Sequence, residues 1–60
     1  MLELSYIFKK KEYHVSNGYS IEDLKDTANA VADSLKEIHG CKRITFWISE
    51  GDNIIEEFNL

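Results

Sequence analysis

His14, His39 and Cys41 are the side chains of this 60-residue sequence that could hold a soft metal ion. A structural zinc site takes four ligands, arranged in closely spaced Cys/His pairs, and His39-Gly40-Cys41 supplies two. No metal site is therefore expected. Cys41 as a nucleophile would need an activating base, and His39 is the one base near it in sequence. The simpler role is a small buried side chain. The eleven Asp and Glu residues are spread along the chain, whereas acid–base catalysis needs two carboxylates converging in one pocket. There is no glycine-rich phosphate loop, no nucleophile elbow and no HExxH. No catalytic residue and no cofactor are expected.

Two basic spots, Lys9-Lys10-Lys11 and Lys42-Arg43, have the chemistry to touch phosphate, and an exposed Trp47 could stack on a base. Against this, seven Lys and Arg face eleven acids, for a net charge of −4, which repels a polyanion at long range. A lysine run in a turn also serves to block strand aggregation. Acidic sets could instead imitate a phosphate backbone. Lys25 and Lys36 interrupt the helical set Glu22, Asp26, Asp33 and Glu37, so the contact edge expected is Glu50, Asp52, Glu56 and Glu57 in the last hairpin.

These residues must be positioned by a very small scaffold. Sixty residues make one domain, which hides only about 60% of the surface its unfolded chain exposes, so a partner, a metal or a disulfide usually adds stability. Cys41 is alone, which excludes an internal disulfide and fits a reducing compartment. The stretch MLELSYIFKKK has no signal-like apolar core, and no apolar run reaches the roughly 18 residues of a membrane span. A cytoplasmic protein with no membrane association is expected. The richness in Lys, Ile, Asn and Glu, without proline, is associated with AT-rich coding, as in a low-GC bacterium or its phage.

The helix is the clearest element. Ile21, Leu24, Ala28, Val31, Leu35 and Ile38 recur at steps of three and four, which predicts a helix over residues 20–39. Ser20 is placed to cap its start, with Asp23 as a shorter version of the capping-box glutamate, and Gly40 to end it in the left-handed conformation. Glu22, Lys25, Asp26, Asp33, Lys36 and Glu37 read as its solvated face.

Before the helix, apolar residues sit at even positions up to Phe8 (Leu2, Leu4, Tyr6) and at odd positions after it (Tyr13, Val15). A straight strand would send the two sets to opposite faces, so the switch predicts a hairpin over residues 2–17, with a bulged single strand as the alternative. Lysines suit the positive φ angles of a two-residue turn poorly, which favours a four-residue loop, Lys9 to Glu12, pairing Phe8 with Tyr13 and Tyr6 with Val15. After the helix, Gly51-Asp52 predicts a second hairpin over residues 42–59. Its turn would pair Glu50 with Asn53, Ser49 with Ile54, Ile48 with Ile55, Trp47 with Glu56 and Thr45 with Phe58. The expected fold is α+β: ββαββ, one four-stranded antiparallel sheet with the helix on one face.

That register puts Ile44, Phe46, Ile48 and Ile55 under the helix and Trp47, Ile54, Phe58 and Leu60 on the other face. A one-residue slip exchanges Ile54 and Phe58 with Ile55 but leaves Trp47 outside. Covering such residues is worth about 1.5 to 3 kcal/mol each, which points to a homodimer through Trp47, Ile54 and Phe58, with Arg43 and Glu56 paired across a two-fold axis; pairing of edge strands between subunits with Trp47 across the junction, and a foreign protein covering the face, are the alternatives.

The stretch KEYHVSNGYSIEDL is similar to the hairpin-into-helix junction of the small phage inhibitors of uracil-DNA glycosylase, over about a quarter of the chain. The resemblance implies an acidic, dimeric protein that blocks an enzyme by contact. Leu24 stands where that family inserts an aromatic residue, and a longer helix with two strands after it departs from the pattern, so the chain is not assigned to the family. The function expected is a noncatalytic phage or mobile-element module that dimerises and inhibits a host protein. The alternative is a nucleic-acid-associated regulator using Lys9, Lys10, Lys11, Lys42 and Arg43.

Overall fold

A helix forms where the apolar stripe lies between its two caps. The computed structural model describes all 60 residues, and helix α1 runs from Ile21 to His39. The Asp23 N–H donates to Ser20 Oγ at 3.3 Å, and Gly40, at φ 67°, donates its N–H to the Lys36 carbonyl. Both ends are thus closed by the residue types such ends require. Four strands accompany the helix: β1 (Leu2–Phe8), β2 (Lys11–Gly18), β3 (Thr45–Glu50) and β4 (Asn53–Asn59). They make one antiparallel sheet in the order β2-β1-β3-β4, so the ββαββ architecture holds. β1 and β3 are central, and each hairpin contributes one edge strand.

Seven residues form the buried core: Leu4, Leu24, Ala28, Ala32, Ile44, Phe46 and Ile48. Ala28 and Ala32 are the small residues that let the helix backbone approach the sheet. The stripe differs from expectation at its end: Ala32 is buried, while Ile38 is 73% exposed. His39 takes the last contact with the sheet, its ring 5.0 Å from Phe8. His39 stands four positions after Leu35, where Ile38 stands three, and that longer step keeps the contact over the sheet as the helix passes the strand ends.

A ladder of rings crosses the whole sheet beneath the helix. Tyr13, Tyr6, Phe46 and Phe58 are direct cross-strand partners on β2, β1, β3 and β4. Their successive centroids lie 5.0, 5.5 and 5.9 Å apart, and each such pair adds about 0.5 to 1.5 kcal/mol beyond its buried area.

The ladder explains both departures from the expected register. In the first hairpin Tyr6 pairs with Tyr13 and Phe8 with Lys11, so the connection is a two-residue turn, Lys9-Lys10, and the four-residue loop is corrected. Both lysines have positive φ, 52° and 67°, as a type I′ turn requires. A left-handed conformation costs an ordinary residue roughly 1 to 2 kcal/mol, a cost accepted to bring Tyr13 opposite Tyr6. A bulge then leaves Val15 as the extra residue on β2. Replacing the turn by Asn-Gly (Lys9→Asn with Lys10→Gly) is expected to stabilise the fold by about 1 kcal/mol, because these residues adopt positive φ readily. Urea unfolding should show a raised midpoint at unchanged slope.

In the second hairpin Gly51, at φ 60°, and Asp52 form the expected turn, and Glu50–Asn53 and Ser49–Ile54 pair as predicted. Beyond them a bulge at Ile55 shifts the register by one, giving Ile48–Glu56, Trp47–Glu57 and Phe46–Phe58. The extra residue is what carries Phe58 under the helix, opposite Phe46. Backbone pairing continues one step past the strands, where Ile44 and Leu60 exchange both hydrogen bonds at 2.9 Å.

Candidate functional site: the uncovered sheet face and the basic end

Strand alternation determines what lies on the face away from the helix. Trp47 sits between the fully buried Phe46 and Ile48, so its side chain is outside, flanked by Ser5 on β1 and Glu57 on β4. Ile54 is also outside, opposite Ser49, and 60% exposed. Ile7, opposite Thr45 on β1, is the third apolar residue of this face. Ile7, Trp47 and Ile54 are diagonal neighbours, each one strand and two residues from the next, so they make an apolar stripe across three strands. Polar residues border it. His14 Nε2 and Asn17 Oδ1 lie 2.6 Å apart on β2, and Thr45 Oγ1 donates to Asn59 Oδ1 at 2.7 Å.

Three residues assigned to this face by the expected register lie on the other. Phe58 is stacked on Phe46, Leu60 packs against the core, and Glu56 accepts a 3.0 Å hydrogen bond from Lys25 Nζ on the helix. Lys25 also covers the Phe58 ring, 5.5 Å from its centroid. The one-residue bulge is the cause, since each residue beyond it changes face. Lys25–Glu56 is a partly exposed pair, of a kind worth about 0 to 1 kcal/mol. Glu57 takes the place beside Trp47 that the sequence reading gave to Glu56. Sequence reasoning also missed Ile7, because the even-numbered pattern of β1 drew attention to the buried side; its β-branched neighbour position on the opposite parity was the available signal.

The acidic edge is divided in the same way. Glu56 and Glu57 project to opposite faces, while Glu50 and Asp52 lie at the β3–β4 turn, where Glu50 Oε2 is 3.9 Å from the chain's amino terminus.

The topology brings the two basic spots together. The Lys9-Lys10 turn and Lys11 lie at the end of the sheet where β3 begins, because Ile7 pairs with Thr45; Lys42 and Arg43 lead into β3 at that end. The last turn of α1, with Lys36 and His39, reaches the same end, as the Phe8–His39 contact shows. Six of the seven Lys and Arg residues therefore share one end of the molecule. Helix residues Glu22 and Asp23, with Glu3, Glu50 and Asp52, occupy the other, while Glu12, opposite Ile7, and Glu37, in the last helical turn, share the basic end.

Cys41 is free and half-buried, packed against the core. Nowhere do three or more His, Cys, Asp or Glu side chains gather as metal ligands, and no pocket indents the surface. No helix is long and apolar enough to cross a membrane. Protein-family models, curated proteins and solved structures give no match to the chain, so its geometry alone carries the functional reading.

Proposed function

We propose that this chain is a noncatalytic protein-interaction module that works as a homodimer, joined through the sheet face the helix leaves uncovered. One observation carries the reading: the diagonal stripe of Ile7, Trp47 and Ile54 places the chain's only tryptophan on the face away from a core of seven residues. A diagonal stripe on a flat sheet is self-complementary under a two-fold axis. Arg43, next in the alternation of Thr45 and Trp47, would then meet Glu57 of the second copy, in the role expected of Glu56. A standard interface takes about 800 Å² from each partner, roughly a fifth of the 4276 Å² that this chain exposes. The broad face of a body measuring 31 × 22 × 15 Å is close to that size, so the interface would take nearly the whole of it.

The mode of action is occlusion: a rigid dimer holds its edges and ends against a protein partner and keeps other molecules away. The wider reading, a phage or mobile-element product that blocks a host protein, is supported by small size, acidity and composition.

Sedimentation velocity over a wide range of protein concentration tests the dimer. A reversible monomer–dimer transition is expected, with Trp47 emission shifting to shorter wavelength as the dimer forms. A folded monomer at every concentration, with unchanging emission from a water-exposed indole, overturns the proposal.

A further inference from the structure

Of the seven Lys and Arg side chains, Lys25 alone makes an ion pair with a carboxylate, and Lys25 is also the one that lies outside the basic end. Lys9, Lys10, Lys11, Lys42 and Arg43 are exposed and Lys36 half-buried, and none of the six has a carboxylate oxygen within salt-bridge distance. Solubility does not require this segregation, because interspersed charges serve it as well. The helix C-terminus accounts for part of it, since its carbonyls favour a cation nearby; that covers Lys36 but not the other five cations.

The turn adds a separate observation. Lys9 and Lys10 occupy left-handed backbone where asparagine and glycine would fit without strain, and strain of this kind is concentrated at functional sites. Rings accompany the charges. Lys9 Nζ lies 5.4 Å from the Phe8 centroid, the His39 ring is against the same phenyl, and the uncovered face with Trp47 begins at the adjoining strand ends.

We infer that the basic end binds the phosphate backbone of a single-stranded nucleic acid. Cations set beside aromatic and imidazole rings match a strand whose bases are unstacked, and a duplex keeps its bases from such rings. Four strand ends at about 4.8 Å spacing make a row about 14 Å wide, a short contact of a few phosphates. The net charge of −4 opposes long-range attraction, and Glu12 and Glu37 share this end, but six cations outnumber them here and Glu3, Glu22, Asp23, Glu50 and Asp52 lie at the far end. The surface shares Arg43 with the proposed dimer contact, but Lys9, Lys10, Lys11, Lys36 and Lys42 lie outside the Ile7–Trp47–Ile54 stripe, so binding by these five does not depend on dimerisation.

The test is fluorescence anisotropy of a labelled oligothymidine of about 12 nucleotides, within the usual range of single-strand site sizes, titrated with the whole chain. If three or four phosphates are neutralised, affinity should fall roughly 20- to 50-fold between about 50 and 200 mM salt. Lys11→Glu with Lys42→Glu should weaken binding at least tenfold. Lys9→Asn with Lys10→Gly should do the same while raising the unfolding midpoint, and those opposite signs separate loss of the site from loss of the fold. Absence of binding at low salt, or parental affinity in both double variants, overturns the inference. So does salt-sensitive self-association that both variants abolish with no oligonucleotide bound, which would assign the cations to the acidic end of a second copy.

Discussion

Trp47→Ala is expected to weaken self-association by about 2 to 4 kcal/mol, roughly 30- to 900-fold, the range of an aromatic residue at the centre of an interface. Most of the loss should fall on association, with a smaller loss of monomer stability, because Trp47 lies on the face away from the core but is already half-buried among its sheet neighbours. Sedimentation should show the variant as monomer where the parent is dimer. Its apparent stability should no longer rise with protein concentration, as the parent's must if only the folded chain dimerises. Phe58→Ala is the contrasting variant. Phe58 is stacked under the helix on Phe46, so its removal should lower stability at every concentration and leave the contact surface in place. If Phe58→Ala dissociates the dimer and Trp47→Ala does not, the interface lies elsewhere.

Phe46→Ala is expected to unfold the chain. Phe46 is fully buried and forms the central rung of the ring ladder, between Tyr6 and Phe58. Removing a buried phenyl costs about 3 to 5 kcal/mol, against a total stability of roughly 3 to 9 kcal/mol for a domain of this length. The variant should lose its cooperative thermal transition, followed by far-UV circular dichroism. Phe46→Leu retains most of the apolar volume and should keep a cooperative, lower-melting transition. A Phe46→Ala protein melting near the parent's midpoint would show that the ladder does not hold the sheet.

The sequence by itself determined the local elements. Ser20 and Gly40 bound a helix because a cap satisfies orphaned backbone groups within one turn, and no distant residue is needed. Gly51-Asp52 sets a tight turn for the same local reason. The ββαββ order follows from these signals and from the parity switch after Phe8. The outward position of Trp47 was also legible, since alternation with Phe46 and Ile48 holds in either register.

Tertiary structure decided the register, the membership of the uncovered face and the meeting of the charges. Whether Lys9 and Lys10 accept left-handed backbone depends on what the tight turn gains, the stacking of Tyr13 on Tyr6, and that gain exists only once Phe46 and the helix lie beside them. Whether Phe58 faces in or out depends on a bulge at Ile55, which the turn does not encode and the ring across the strand rewards. Ile38 is exposed although it fits the helical stripe, because periodicity specifies a direction but not where the sheet beneath it ends. Lys9, Lys36 and Lys42 are far apart in sequence and share one end because the order β2-β1-β3-β4 returns the chain there three times. Local propensity acts over a few residues, whereas the pairing of strands and the gathering of like charges are long-range properties, settled when one sheet closes under one helix.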